Sequence, residues 1–385
     1  MFRTRLHLFL GNGGVGKTTL SAAWALSLAE QGLKVALITI DPAKRLAQSL
    51  GLDHLSGSLS QTPLNKNLWA MMLDRETTSH RLVNTYASSP DIGQKIINNR
   101  YFKAFSTSLA GAQELMAIHE LYQAISCGDY DVVVLDTPPS QHALDLLEVP
   151  KRLERALDGP ALQWLFKSEA DIKVSRLNKK ASLRGTLAGL SKTIALKAFT
   201  KMTAGAFIED LLEFISLFGD VLKQIKAQGL SVEEMLYQGN THIWVVAAPE
   251  SASLRTSIKL INHLSKKDLK VDTLWLNRCP LMLTEAMHQN LAIKALLNSG
   301  LADLGILNEL EASHKALAAS ILHEEADRAL DIKNLLDTEL NHLTYYLISE
   351  QSRQRSPAQT VHILSQYFSK HFVFKACLQE SEAGP

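Results

Sequence analysis

The sequence predicts an α/β fold, a doubly wound and mostly parallel sheet interrupted by a helical insertion. Three observations carry this reading. Short apolar runs rich in β-branched residues alternate with helical patterns along much of the chain, as a parallel sheet with crossover helices requires. One of these runs leads through a cluster of glycines directly into a helix. Between residues 151 and 238 the strand signals stop and only helical periodicity is left.

The first run, Leu6 to Leu10, is apolar apart from His7. Gly11, Gly13, Gly14 and Gly16 follow, then Lys17 and Thr18 open a helical pattern that stops at Gly32. Gly11, Gly16, Lys17 and Thr18 satisfy G-x-x-x-x-G-K-[ST], the phosphate-binding loop, in its expected context of strand, turn and helix. Glycines let this backbone curl so that successive N–H groups point inward. The helix beginning at Lys17 adds the positive end of its dipole, the Lys17 ammonium reaches the β- and γ-phosphates of a nucleotide, and Thr18 offers a hydroxyl to Mg²⁺. The sheet is therefore expected to be of the P-loop NTPase type.

Val35 to Ile40 reads as a buried parallel strand ending at Asp41, with Pro42 breaking it. Leu68 to Leu73 reads as a strand, Arg75 to Ala87 as a helix, and residues 90–126 as helical. The run Val132 to Leu135 delivers Asp136 at its carboxyl end, where α/β sheets place their chemistry and where an aspartate holds Mg²⁺ through a water. Strands are expected again at 241–250 and 271–277, with a helix from Ser251 to Lys266 between them. Helical patterns run from Thr284 to Ser349. After the polar break SEQSRQRSP a last short helix is expected near Ala358 to His371, and composition predicts disorder in the ESEAGP tail. The expected domains are a P-loop domain (1–150 and 241–350), a helical insertion (151–240), and a C-terminal helix and tail (351–385).

The chain has 385 residues, 46% of them hydrophobic, ample for a sizeable core. A formal net charge of +1 provides no global field toward nucleic acid or lipid. Cys127, Cys279 and Cys377 are widely spaced and form no C-x-x-C pair, which suits a reducing cytoplasm and argues against a thiolate metal site. The apolar run behind Arg3 and Arg5 is too short for a secretion signal, and no stretch is long enough to span a membrane.

Within the insertion, Phe207 to Ile225 carries a polar stripe at Glu209, Glu213, Ser216, Asp220 and Lys223, and is apolar over most of the remaining circumference. Burial between neighbouring helices accounts for this, as does a surface uncovered in one nucleotide state that accepts an apolar helix. Lys173, Arg176, Lys180 and Arg184 recur on one helical face beside it, which suits solvent, anionic lipid or an acidic partner.

GGVGKTT, IDPAKRL and DTPPSQHALDLL, in this order and spacing, resemble the family of the arsenite-pump ATPase and the ATPase that guides tail-anchored membrane proteins. NRYFKAFSTSLAGAQELMAIHELY and DTPPSQHALDLLEVPKRL are similar to its bacterial branch, and the resemblance covers most of residues 5–300. It implies an ATP- and Mg²⁺-dependent ATPase that cycles as a dimer. By motif, Gly13, Gly14, Val15, Gly16, Lys17, Thr18 and Thr19 would bind phosphates, and Asp41 would position the attacking water. Asp136 would sit on Mg²⁺ through water and Asn277 would read adenine. The chain departs from the family at Asn12, where a lysine usually crosses the dimer interface to the partner's phosphates. It also lacks the arsenite-binding thiols and the zinc-binding C-x-x-C pair, which argues against arsenite transport and a zinc-clamped dimer.

Three functions follow. The leading one is an ATPase whose dimer, formed with itself or a paralogue, changes the exposure of a site for an apolar helical client or membrane-associated protein. The second is a nucleotide-sensing subunit that hydrolyses little and pairs with a lysine-bearing paralogue, Asn12 being its mark. The third, action on DNA or at a membrane surface, calls for a basic face. The last helix, with Lys370 and His371 beside Phe368, Phe372 and Phe374, is too weakly patterned for that and reads better as a docking helix. No nucleic-acid partner is expected.

Overall fold

The computed structural model describes residues 4–41, 45–108, 112–139, 146, 148–149, 151–152, 154–155, 205–280, 283–284, 293–306, 312–340, 342–349 and 356–371. In chain order the elements are β1 (Arg5–Gly11), α1 (Lys17–Glu30), β2 (Val35–Thr39), α2 (Arg45–Ser49), β3 (Ser60–Thr62), β4 (Asn65–Met72), α3 (Arg75–Tyr86), α4 (Pro90–Asn98), α5 (Arg100–Ser108), α6 (Ala112–Ser126) and β5 (Val132–Asp136). Then come α7 (Gly205–Tyr237), β6 (Thr241–Ala247), α8 (Ser251–Ser265), β7 (Thr273–Cys279), α9 (Ile293–Ile306), α10 (Ala312–Glu339), β8 (Tyr345–Ser349) and α11 (Pro357–His371). Two compact units result. One comprises Met1–Leu73, Gln123–Leu144 and Glu234–Pro385, the other Asp74–Tyr122 and Asp145–Glu233.

The first unit holds an eight-stranded sheet in the order β3-β4-β2-β5-β1-β6-β7-β8. All pairings are parallel except β3 with β4. The expected α/β, mostly parallel sheet of the P-loop type is therefore present. Strands β2, β5 and the inner part of β1 are buried along their length, which is why they read as continuous apolar runs rather than alternating ones. The chain leaves β1 toward β2 on one side, and later strands extend from its other side at β6. That reversal makes the carboxyl end of β1 a topological switch point, the place where open α/β sheets bind ligands.

Helix α1 is buried almost all round, from Leu20 to Ala29. Its alanines let it lie close against the sheet, and α11 covers it. Trp24 meets Phe368 with ring centroids 5.5 Å apart, and the Ser27 and Ser369 hydroxyls are 3.0 Å apart. Ser365 and Ser369 donate to the Glu30 carboxylate. Trp24, Trp244, Trp275 and Phe368 form one buried aromatic cluster, with Trp24 and Trp244 edge to face at 4.4 Å. The last helix thus docks on the helix that follows the glycine loop.

In the second unit, Phe218, Val221 and Ile225 of α7 are buried against Leu82, Val83, Ile96 and Phe102. For this part of the 207–225 stretch burial is the answer, and Glu213, Asp220 and Lys223 of the polar stripe are exposed. The side chains of Phe207, Ile208, Glu209, Leu211 and Leu212, and the basic run from Lys173 to Arg184, lie outside the described residues. A second polar cluster joins three helices: the His119 Nδ1 lies 3.1 Å from Gln228 Oε1, and the Gln228 amide donates to the Tyr86 hydroxyl.

Three differences from the sequence reading have local causes. The helical stretch 90–126 is three helices. Asn99 ends the first, its side chain accepting from the Tyr101 N–H at 2.8 Å, a local bond that competes with helix continuation. The helical pattern expected to reach Ser349 stops at α10, and Tyr345–Ser349 is strand β8, paired in parallel with β7. Its aromatic and β-branched residues suit a pleated surface, and the neighbouring strand overrides the helical pattern. The strand β3 is short and polar, with no periodicity to mark it.

His7 sits in the middle of β1 without exposed surface, and its Nδ1 accepts a 2.8 Å hydrogen bond from Trp24 Nε1. Indole N–H only donates, so Nδ1 carries no proton and the ring is neutral. Burial holds its pKa well below the usual value, and His242 and Arg5 push the same way. A depressed folded pKa means that the unfolded chain takes up this proton first. The stability His7 contributes is present above about pH 6.5 and is lost as pH falls through the folded value. We expect the unfolding free energy of the parent to fall more steeply below about pH 6.5 than that of His7→Gln, by up to ~1.4 kcal/mol per pH unit. Parallel slopes in urea titrations at a series of pH values would contradict this.

Candidate active site

The site is built at the carboxyl ends of β1, β2, β5 and β7. At the end of β1, Gly11 takes φ 149° and lies so close to β6 that a Cβ would collide with the Val246 carbonyl oxygen. Only glycine satisfies both demands. The loop Asn12 to Gly16 then turns into α1, whose N-cap is Gly16, with no side chain capping the first turn. Its leading N–H groups are left to whatever enters the loop. Gly13 and Gly14 are exposed and nothing lies within 4 Å of where a Gly14 side chain would start. Thr19 is half-buried in the first turn of α1.

Lys17 is buried, and its ammonium donates to the Asn12 carbonyl oxygen at 2.8 Å. Burial lowers its pKa, against the opposing pull of the Asp136 and Asp41 carboxylates, and Arg45 lowers it further. The Asn12 side chain turns to its own chain, its amide donating to the Ser253 carbonyl on α8 at 3.5 Å.

Asp136 closes β5 with 0% exposure. Its Oδ2 accepts from Thr18 Oγ1 at 2.7 Å and from Thr39 Oγ1 at 2.9 Å. The parallel register makes Thr39 and Asp136 neighbours across β2 and β5. Burial pushes the Asp136 carboxyl up to about 6, opposed by the Thr18 hydroxyl, the Lys17 ammonium and the Thr39 hydroxyl. Its other oxygen, Oδ1, is buried with no hydrogen-bond partner among the described residues. An orphaned carboxylate oxygen beside a threonine hydroxyl at the mouth of the glycine loop is a donor set that fits Mg²⁺, a hard cation that keeps several waters and is shared with phosphates.

Asp41 follows β2. Its backbone N–H donates to Thr39 Oγ1 at 3.3 Å, and its carboxylate lies 3.6 Å from the exposed Arg45 guanidinium. Lys44, beside it in sequence, lies outside the described residues. Asn277 is 8% exposed in β7, and its amide donates to the Val15 carbonyl oxygen at 2.9 Å. Gly11 to Thr19, Asp136 and Asn277 are thus joined by direct hydrogen bonds or chain continuity, and Asp41 is tied in through Thr39. Sequence reasoning missed Thr39 and Ser253. Thr39 is the last residue of β2, and the register that sets it opposite Asp136 marks it only once β2 is known to lie beside β5.

Comparison with known proteins bears on the same residues. The family model described as "Anion-transporting ATPase" matches residues 4–299. The protein named ATPase ASNA1 homolog of Cryptosporidium parvum is 27% identical over 272 residues, 70% of this chain and 63% of that protein. ATPase asna-1 of Caenorhabditis elegans is 33% identical over 170 residues, 40% of this chain and 48% of that protein. A protein of Aquifex aeolicus that carries the name arsenical pump-driving ATPase 2 is 25% identical over 282 residues, 71% of this chain and 80% of that protein. The chain spans less than two thirds of the length of the Cryptosporidium and Caenorhabditis relatives it matches. With the match running from β1 through the loop, both aspartates and β7, the chain belongs to the anion-transporting ATPase family.

Proposed function

We propose that this chain is a Mg²⁺-dependent ATPase, converting ATP and water to ADP and phosphate, that works as a dimer and couples its nucleotide state to exposure of a site for an apolar helical client or membrane-associated partner. Family membership supports ATPase activity in general. The observation that carries the reading is the buried Asp136, held by Thr18 and Thr39 with one oxygen to spare beside Lys17 and the open glycine loop. In this reading Gly11 to Thr19 hold the phosphates, and the Lys17 ammonium exchanges the Asn12 carbonyl for the β- and γ-phosphates. Thr18 and, through water, Asp136 hold Mg²⁺, which when bound neutralises charge on the phosphates. Asp41 orients the attacking water and Asn277 meets adenine. The widely spaced cysteines suit a cytoplasmic protein, and no helix among the described residues is long and apolar enough to cross a membrane.

Lys17 meets phosphate in the ground state, whereas Asp41 acts only when water attacks, so the two substitutions separate. Lys17→Ala is expected to abolish ATP binding in a fluorescent-nucleotide titration. Asp41→Asn is expected to bind like the parent while its phosphate release stops. Equal affinity of Lys17→Ala and the parent would remove the site assignment.

A second reading, a nucleotide-sensing subunit with little hydrolysis, is favoured by Asn12, an amide where the family's trans-acting lysine stands and one engaged with Ser253 of its own chain. A missing charge at a transferring phosphoryl group costs on the order of 10³ in rate, judging from arginine fingers. Slow turnover alone that rises with a lysine-bearing paralogue supports a heterodimer that completes the ATPase. Brisk turnover by a monomer counts against the dimer. Brisk turnover by a homodimer means another cation replaces the lysine, with Lys44 and Arg45 the candidates.

For the client surface, support comes from the half-buried Phe214, Ile215, Leu217 and Leu222 beside the buried seam of α7. Hydrogen exchange across residues 187–225 is expected to differ between ADP and a non-hydrolysable ATP analogue. Equal, deep protection in both states would mean a static core and would end the client-surface reading.

A further inference from the structure

Asn277 is the residue whose contacts exceed the part the resemblance gives it. Its amide nitrogen donates to the Val15 carbonyl inside the glycine loop, across 262 positions of sequence. The same nitrogen fills the space in front of Gly16, where a Cβ would collide with it. The ladder between β7 and β8 shifts register between Asn277 and Cys279, and Arg278 takes φ 63°, a left-handed conformation that costs a non-glycine residue energy. Bulges of this kind re-aim a side chain out of the regular pleat. Here the bulge sits directly after the side chain that reaches the loop.

We propose that Asn277 is a positioning residue for the phosphate loop, acting whether or not a base is present. The reason lies in the peptide plane. The Val15 carbonyl and the Gly16 N–H belong to one planar trans peptide and point to opposite sides of it. With the carbonyl held outward by Asn277, the Gly16 N–H is turned the other way, as a loop of inward-facing donors requires. Gly16, with φ 91°, is also the N-cap of α1, so this bond fixes the junction between loop and helix. Removing the donor leaves a buried carbonyl unpaired and frees the peptide to flip. The inference rests on the phosphate-loop reading proposed above, and it assigns to Asn277 a role separate from contact with adenine.

A base-free ligand separates the two roles. Binding of inorganic tripolyphosphate and of ATP is measured by calorimetry for the parent, Asn277→Ala and Asn277→Asp, with circular dichroism and urea unfolding reporting the fold. A positioning role predicts that both ligands weaken together, by about tenfold for the alanine variant, the equivalent of one buried hydrogen bond. The aspartate variant keeps the shape but turns an ionised acceptor toward a carbonyl, so it is expected to bind tripolyphosphate at least as poorly at pH 8. Acidification protonates the introduced carboxyl and returns a donor. The deficit relative to the parent, measured at each pH, is expected to shrink to within about threefold near pH 5, which general damage to the fold would not reproduce. Unchanged tripolyphosphate affinity with weakened ATP would make Asn277 a base contact alone and overturn the proposal. A pH-independent deficit in the aspartate variant would overturn it too. A parent that binds neither ligand would instead remove the phosphate-loop reading, and this inference with it.

Discussion

The Asp136 carboxylate is the constraint around which this sheet is arranged. An ionised carboxylate without exposed surface is expensive unless hydrogen-bonded or paired, and here two threonine hydroxyls share one of its oxygens while the other has no partner among the described residues. Burial raises its pKa to about 6, so at neutral pH the fold holds the charged form against the pull toward neutrality. That cost is set by position. Thr39 reaches Asp136 because β2 pairs with β5 in one register, and Thr18 reaches it because the loop after β1 delivers α1 beside β5. A shift of one residue in the β2–β5 pairing turns the Thr39 hydroxyl to the opposite face. An arrangement that leaves a buried carboxylate half-satisfied is costly as a structural device and makes sense where a cation completes it.

The same region stores a second unfinished interaction. Lys17 is buried with its ammonium on a backbone carbonyl, a neutral partner for a desolvated charge. A phosphate is a better partner for such a charge, so under the proposed function exchange from the Asn12 carbonyl to phosphate would link ligand entry to the loop's own conformation. The loop is braced from outside its own segment: β6 closes on Gly11, Asn277 holds Val15, and α1 is clasped by α11 through Trp24, Ser27 and Glu30. Each brace comes from a different stretch of chain, and together they restrain a loop whose glycines alone would leave it many shapes.

How much of this was legible in the sequence depends on whether the signal was local. The strand–glycine loop–helix unit and the strands ending at Asp41 and Asp136 are written in contiguous residues and appear with only small shifts of boundary. Buried parallel strands also betray themselves as unbroken apolar runs. Thr39 was not legible, because its importance arises only from the lateral pairing of β2 with β5. Strand β8 was hidden for a related reason: Tyr345–Ser349 follows a long helical stretch and becomes a strand by pairing with β7. The resemblance marks Asn277 only as an expected reader of the base, and its bond to Val15 goes with a bulge at Arg278 that no pattern in the sequence announces. The break at Asn99 was available in principle, since an asparagine side chain competes with the helix for backbone hydrogen bonds, and it shows in the structure as the Tyr101 N–H donating to the Asn99 side chain.

The central claim is that the glycine loop, Thr18 and Asp136 form one site for a nucleotide and its metal. The most direct measurement is the affinity of the parent chain for ATP with Mg²⁺ and with Mg²⁺ withheld by a chelator, followed by calorimetry, together with the same pair of titrations for Asp136→Asn. The account predicts that Mg²⁺ tightens ATP binding to the parent and that this gain is largely lost in Asp136→Asn, while binding without the metal is retained. An ATP affinity indifferent to Mg²⁺ in the parent, or an equal gain in both proteins, would contradict it.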